Sequence, residues 1–194
     1  MNAGRPNGCF AVDGQPIGAR DITDGTSNTI AFGEQRTGDF NDGKISIPED
    51  IAGNTTFIGG GSTWNTALSS MPAGSGQLAA WLQTCATNLK SGSTPYSPSG
   101  RSWNGDLWFN GNYGHALGNT LLAPNSQYPN CMFHNGNSDW DRAGFAGLHS
   151  FHSGGANVCL ADGSVRFLKA STALQVMWAL GSRNQGEVIS ANSY

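Results

Sequence analysis

Apolar and polar residues alternate most regularly near the C-terminus of the chain. Asp162-Gly163 separates the segments 157–161 (NVCLA) and 164–168 (SVRFL). In each segment, apolar residues at every second position place their side chains on one side of the chain. Alternation on both sides of an Asp-Gly pair is typical of a β-hairpin closed by a two-residue type I′ turn. We therefore predict a hairpin here, in which Asp162 serves the turn.

Two other segments have the spacing of helices. From Gly76 to Lys90, apolar residues recur on one helical face, and Ser91-Gly92 can end the helix; these residues are Leu78, Trp81, Leu82, Cys85 and Leu89. Near the C-terminus, Thr172 and Gln175 have the spacing of a capping box before a short helix that Gly181 can stop. We expect this helix to pack on the sheet, with Leu174, Met177, Trp178 and Gly181 on one face.

The rest of the chain is rich in turn-forming residues. TIAFGE predicts a strand near 28–35, and TTFIGG predicts a short strand at 55–60. Residues 36–55 and 91–140 have the composition of long loops, the latter held by isolated aromatic side chains. The pattern predicts an α+β fold, with an antiparallel sheet, long loops, an internal helix and a short C-terminal helix, in a single domain over residues 1–194.

Charge and hydropathy exclude some classes of protein. Charged residues make up 12% of the chain, roughly half of the usual share of about 25%. The net charge is −3 and no cluster of Lys or Arg is present, so we expect no nucleic-acid partner. The sequence has neither a long apolar run nor a signal-peptide pattern, so we expect no membrane contact for this chain.

Four cysteines lack the spacing of a metal site: Cys9, Cys85, Cys131 and Cys159. An even number is compatible with disulfides if the protein is exported, and with packed, reduced thiols if it is not. If one bridge forms, we expect it between Cys85 and Cys131.

The resemblance to a known family lies in three segments: DITDGTSNTIAFGE at 21–34, HSFHSGGANVCLADGSVRFL at 149–168 and NQGEVI at 184–189. These segments resemble bacterial prepilin-like proteins. The C-terminal signature of that family, a His, nine residues and Asp-Gly, is matched by His152 and Asp162-Gly163. The resemblance implies the head of a type IV pilin or type II secretion pseudopilin, located in the periplasm or at the cell surface. It also implies a long N-terminal helix, which this chain lacks as written, and like subunits or other pseudopilins as partners in a filament.

Calcium is the cofactor that the resemblance implies, because major pseudopilins often bind Ca²⁺ in an exposed loop. Oxygen-bearing side chains that could hold it form two candidate sets: Asp21, Asp24, Ser27 and Asn28, and Asp39, Asn41 and Asp42. Neither set has EF-hand spacing, and both also suit turns that cap the start of a strand.

Two functions follow from these observations. The first is a structural or assembly role without turnover. The alternative is a secreted metal-dependent hydrolase of a small ester or lactone, built on the same scaffold, in which His152 and Asp162 would be catalytic. No sequence motif of a standard hydrolase supports that alternative.

Overall fold

The computed structural model describes residues 7–10, 16–41, 46–52, 71–91, 102, 104–111, 115–132, 144–190 and 193–194. These ranges contain helices α1 (Ser75–Ser91) and α2 (Leu174–Gly181). They also contain six strands: β1 (Ile30–Gly33), β2 (Ile51–Ala52), β3 (Asn130–Met132), β4 (Gly144–Phe145), β5 (Gly155–Leu160) and β6 (Val165–Lys169). The predicted α+β class is confirmed, as are the internal and the C-terminal helix.

Contacts divide the chain into two compact units. The first comprises residues 1–4, 36–117 and 127–146, and the second comprises residues 5–35, 118–126 and 147–194. The chain therefore passes between the units several times. A single domain over residues 1–194 stays a prediction.

The second unit is built on a three-stranded antiparallel sheet in the order β1-β5-β6. Its inner face carries Ala156, Val158, Leu160 and Leu168, which pack with Leu148 and with Met177 and Leu180 of α2. Since side chains alternate along a strand, the residues between them point to the other face of the sheet. The predicted packing of the C-terminal helix on the sheet is thereby confirmed.

The β5–β6 hairpin is confirmed, but its turn differs from the predicted type I′. Leu160 N donates to Ser164 O at 2.8 Å, and Gly163 N donates to Leu160 O at 2.9 Å, so three residues form the loop. Gly163 has a φ of 87°, whereas Asp162 is not among the described residues with positive φ. This is a type I turn followed by a glycine bulge, in which only the glycine adopts the left-handed conformation.

Two details of α2 also differ from the sequence prediction. The helix starts after Ala173, whose side chain makes no capping hydrogen bond, so the capping box of Thr172 and Gln175 is wrong. The buried residues are Met177, Ala179 and Leu180, whereas Trp178 is half-buried and donates its indole N–H to Leu121 O at 2.9 Å. The buried face of α2 therefore differs from the face that we predicted, because tertiary contacts decide which side chains are covered.

The first unit contains α1 and a mixed sheet in the order β2-β3-β4, in which β2 is parallel and β4 antiparallel to β3. Leu78, Trp81, Leu82 and Cys85 of α1 are buried, as the helical spacing predicted. A disulfide joins Cys85 to Cys131 of β3, with a Cα–Cα distance of 6.1 Å. This confirms the predicted pairing, and Cys9 and Cys159 remain free.

Two further observations concern one predicted strand and the character of the helices. The strand predicted at 55–60 lies outside the described residues. Within the described ranges, no helix combines the length and the apolar character needed to cross a bilayer.

Candidate functional site

Asp24 joins the two ends of the second unit. Its carboxylate accepts hydrogen bonds from Gln185 N at 2.8 Å, from Gly186 N at 2.9 Å and from Ser182 Oγ at 3.3 Å. Nearby, the buried Thr29 hydroxyl lies within hydrogen-bond distance of Gly25 O (3.1 Å) and Ser182 O (3.3 Å). The segments DITDGTSNT and NQGEVI, which are far apart in sequence, therefore form one hydrogen-bonded structure.

Glu34, directly after β1, forms a second junction. Asn157 of β5 donates to it twice, from its backbone N to Oε2 at 2.7 Å and from Nδ2 to Oε1 at 3.0 Å. His152 Nε2 lies 3.2 Å from Glu34 Oε1. Partial burial acts to raise the pKa of Glu34, but the hydrogen bonds from Asn157 and the attraction of His152 outweigh it and lower the pKa.

The imidazole of His152 also contacts an aromatic ring. It meets the ring of Phe167 edge to face, with 6.2 Å between the ring centroids. A Cβ on Gly155 would lie 2.8 Å from Cε1 of Phe167 and would collide with the carbonyl oxygen of Leu168. The glycine that begins β5 is thus required by the close approach of β6, and the Phe167 ring covers the space beside it.

Asp162 has its partners within its own turn. Its Oδ1 accepts hydrogen bonds from Ser164 N at 2.9 Å and Ser164 Oγ at 2.7 Å, and these bonds lower its pKa. The side chain of His152 contacts Glu34 and Phe167, whereas that of Asp162 contacts Ser164. The structure therefore does not bring the two predicted catalytic residues together.

The first candidate calcium set is also divided among different partners. Asp21 Oδ2 accepts a hydrogen bond from Gly18 N at 2.8 Å. Asn28 donates to Asp24 O at 3.3 Å and accepts from the Tyr194 hydroxyl at 3.4 Å. Ser27 is exposed. The carboxylate of Asp24 is already engaged by three donors, so a cation would compete with them.

The second candidate set lies in the first unit. Asp39 accepts hydrogen bonds from Asn41 N at 2.9 Å and Ser46 Oγ at 2.6 Å. The buried Asp50 accepts from Ser46 N at 2.7 Å, and burial raises its pKa, with Asp39 adding to the effect. Asp42 lies outside the described residues. Across the part of the chain that the structure describes, no group of three His, Cys, Asp or Glu side chains could hold a metal ion.

Sequence reasoning missed the roles of Glu34, Asn157 and Asp50. Glu34 is 123 positions from Asn157, and no local pattern connects two residues so far apart. The available signal was that Glu34 ends the first family-like segment, whereas His152 and Asn157 belong to the second. The polar residues of the two segments meet on one sheet.

These features define the class of protein: an α+β protein in which polar residues of the two segments described above meet around a three-stranded sheet. The chain belongs to the family described as "Protein of unknown function (DUF1559)", whose model matches residues 1–175. This family is associated with pilin-like and pseudopilin-like proteins. No curated protein and no solved structure matches the chain.

Proposed function

We propose that this chain is the globular head of a pilin-like structural protein that works outside the cytoplasm as a subunit of an assembly. The observation that carries the proposal is the use of the motif side chains. Asp24, Glu34 and Asp162 all accept hydrogen bonds from backbone N–H groups of the second unit. Carboxylates that accept hydrogen bonds from the backbone stabilise the fold, as expected of a structural subunit.

The cysteines support the proposed location outside the cytoplasm. Cys85 and Cys131 are fully buried and bonded to each other. Structural disulfides persist in oxidising compartments, because cytosolic thiols are kept reduced. The periplasm and the cell surface both meet this condition.

Cell fractionation combined with thiol counting tests the proposal. We expect the protein in the extracytoplasmic fraction, with two thiols reacting with maleimide under denaturing conditions and two more after reduction. Crosslinking in whole cells should give high-molecular-weight species that contain this chain. A cytoplasmic protein with four reactive thiols would contradict the proposal. So would a protein that is still found as a monomer after crosslinking.

The hydrolase alternative gains no support from the geometry, because His152 contacts Glu34 and Phe167 whereas Asp162 contacts Ser164. It stays testable. Ester and lactone hydrolysis by the purified chain, lost in His152→Ala and on chelation, would revive it.

Calcium stabilisation through Asp21 and Asp24 stays part of the proposed structural role. Its test is the thermal unfolding temperature in millimolar calcium against chelator. A rise that disappears in Asp21→Asn would support a calcium site, and equal temperatures in both solutions would remove it from the proposal.

A further inference from the structure

The outer face of the three-stranded sheet carries a row of exposed apolar side chains, which lies beside the polar group of Glu34, His152 and Asn157. Phe32, Cys159 and Val165 are direct neighbours across β1, β5 and β6. The ring of Phe10 packs on that of Phe32, with 5.3 Å between the centroids. Phe167 lies two residues beyond Val165 on the same side of β6. We call these five residues the outer face.

Exposure of this face is substantial. Phe10 is 52%, Phe32 63%, Val165 66% and Phe167 43% exposed. If a buried aromatic side chain accounts for roughly 200 Å², the four side chains together expose roughly 400 Å². A patch of about 300–600 Å² is the largest that a typical monomer shows, and it is often functional.

The same patch on two molecules would bury roughly 800 Å² of apolar surface. The polar residues around it enlarge the contact toward the roughly 1,200 Å² of the smallest specific interfaces. An apolar centre with a polar rim is the usual composition of such an interface. The size therefore fits a weak contact between two copies, of the kind that many neighbours in an assembly can reinforce.

Charges on the rim also suit a self-contact. Glu34 follows β1 at one edge of the sheet, and Lys169 ends β6 at the other edge. A two-fold axis that lies between two copies and runs parallel to the strands brings each edge of one sheet toward the opposite edge of the other. The acidic group of one copy then faces the basic group of the second.

We propose that the outer face is a self-association surface, on which a second copy of this chain packs sheet against sheet. The proposal rests on the structural role given above and names the contact that this role uses. Paired sheets lie about 10 Å apart, so the phenylalanine rings of the two copies would fill the space between them. The free thiol of Cys159, central in the row, would then lie close to the same thiol of the second copy.

Sedimentation of the purified chain over a range of concentrations tests the surface. We expect a reversible dimer that Val165→Lys weakens at least about tenfold, because it replaces an exposed apolar side chain of the row by a charged one. Val188→Lys is the matched control, since Val188 is 99% exposed and lies on no strand; it should leave the dimer unchanged. Lys169→Glu should weaken the dimer about threefold by removing the opposite charges of the rim.

Crosslinking gives an independent reading that does not depend on a variant of the face. In a Cys9→Ala background, a short bis-maleimide should join two chains through Cys159, and Cys159→Ala should abolish the product. A chain that stays monomeric at high concentration and gives no Cys159 crosslink overturns the proposal, whichever other molecule is found to cover the face. Equal weakening by Val165→Lys and Val188→Lys would also overturn it.

The two proposals can fail separately. If Val165→Lys still enters the extracytoplasmic assemblies at the normal level, the structural role stands and the outer face is not its contact. If the wild-type chain enters no assembly but dimerises through Cys159, the self-association surface stands and the assembly role fails.

Discussion

The disulfide of the first unit permits a quantitative test. It links α1 to β3 across a sequence separation of 46 positions, and both cysteines are fully buried. We consider the double replacement Cys85→Ala and Cys131→Ala, which removes the link without placing a polar group in the core.

The expected cost follows from loop closure and packing. A cross-link around a loop of this length removes roughly 13 cal/mol/K of entropy from the unfolded chain, or about 4 kcal/mol at about 25 °C. Removing two buried sulfur atoms adds about 1 kcal/mol for the space left behind. The total is about 5 kcal/mol, so with a urea dependence of about 2 kcal/mol per molar the unfolding midpoint should fall by about 2.5 M.

Urea unfolding followed by tryptophan fluorescence and far-ultraviolet circular dichroism measures this shift. The matched control replaces the two free cysteines, Cys9 and Cys159, by alanine; it removes the same number of sulfur atoms but no cross-link. A midpoint that falls no further than in the control would refute the reasoning, because the bridge would then add nothing beyond packing.

Three further predictions concern the second unit. Glu34→Gln should lower stability at neutral pH and reduce its acid sensitivity: the lowered pKa of Glu34 gives stability that is present above its ordinary pKa of 4.5 and is lost as the pH falls through the folded-state value. Gly155→Ala should lower the free energy of unfolding by about 2 kcal/mol, because the new Cβ collides with the backbone of β6; chemical denaturation measures this. Asp24→Ala should cost about 2 kcal/mol and speed hydrogen exchange at Gln185 and Gly186, whose N–H groups lose their acceptor.

Each of these has a control that the chain supplies. Glu187→Gln should change the pH profile in the opposite sense, since burial raises the pKa of Glu187 and its ionisation opposes folding as the pH rises. Gly76→Ala in α1, where a Cβ meets no atom within 4 Å, should be neutral or stabilising. Asp21→Ala should lower the free energy of unfolding by less than Asp24→Ala, because among the described residues Asp21 accepts one short hydrogen bond, from Gly18 N. An unchanged pH profile in Glu34→Gln, or losses no greater than in the controls, would contradict the assignments.

Local features of the sequence predicted local structure well. The spacing of apolar residues located α1, because a helix turns its side chains onto one face every three or four residues. Alternation around Asp162-Gly163 located the β5–β6 hairpin for the corresponding reason in strands. The turn type was wrong because two-residue and three-residue loops accept the same Asp-Gly pair, and the strand register selects between them.

The position of the motif residues was decided only by the tertiary structure. His152 and Asp162 belong to one sequence signature, yet β5 separates them, and each has other partners. Glu34 and Asn157 are 123 positions apart, and antiparallel pairing of β1 with β5 brings them together. The sequence by itself determined the helices and the hairpin, since these depend on nearby residues. For the cysteines it only favoured Cys85 with Cys131 among three possible pairings, and the structure showed that this bridge forms. The hydrogen-bonded junctions and the apolar outer face depend on which strands become neighbours, and that is set by burial of the whole core.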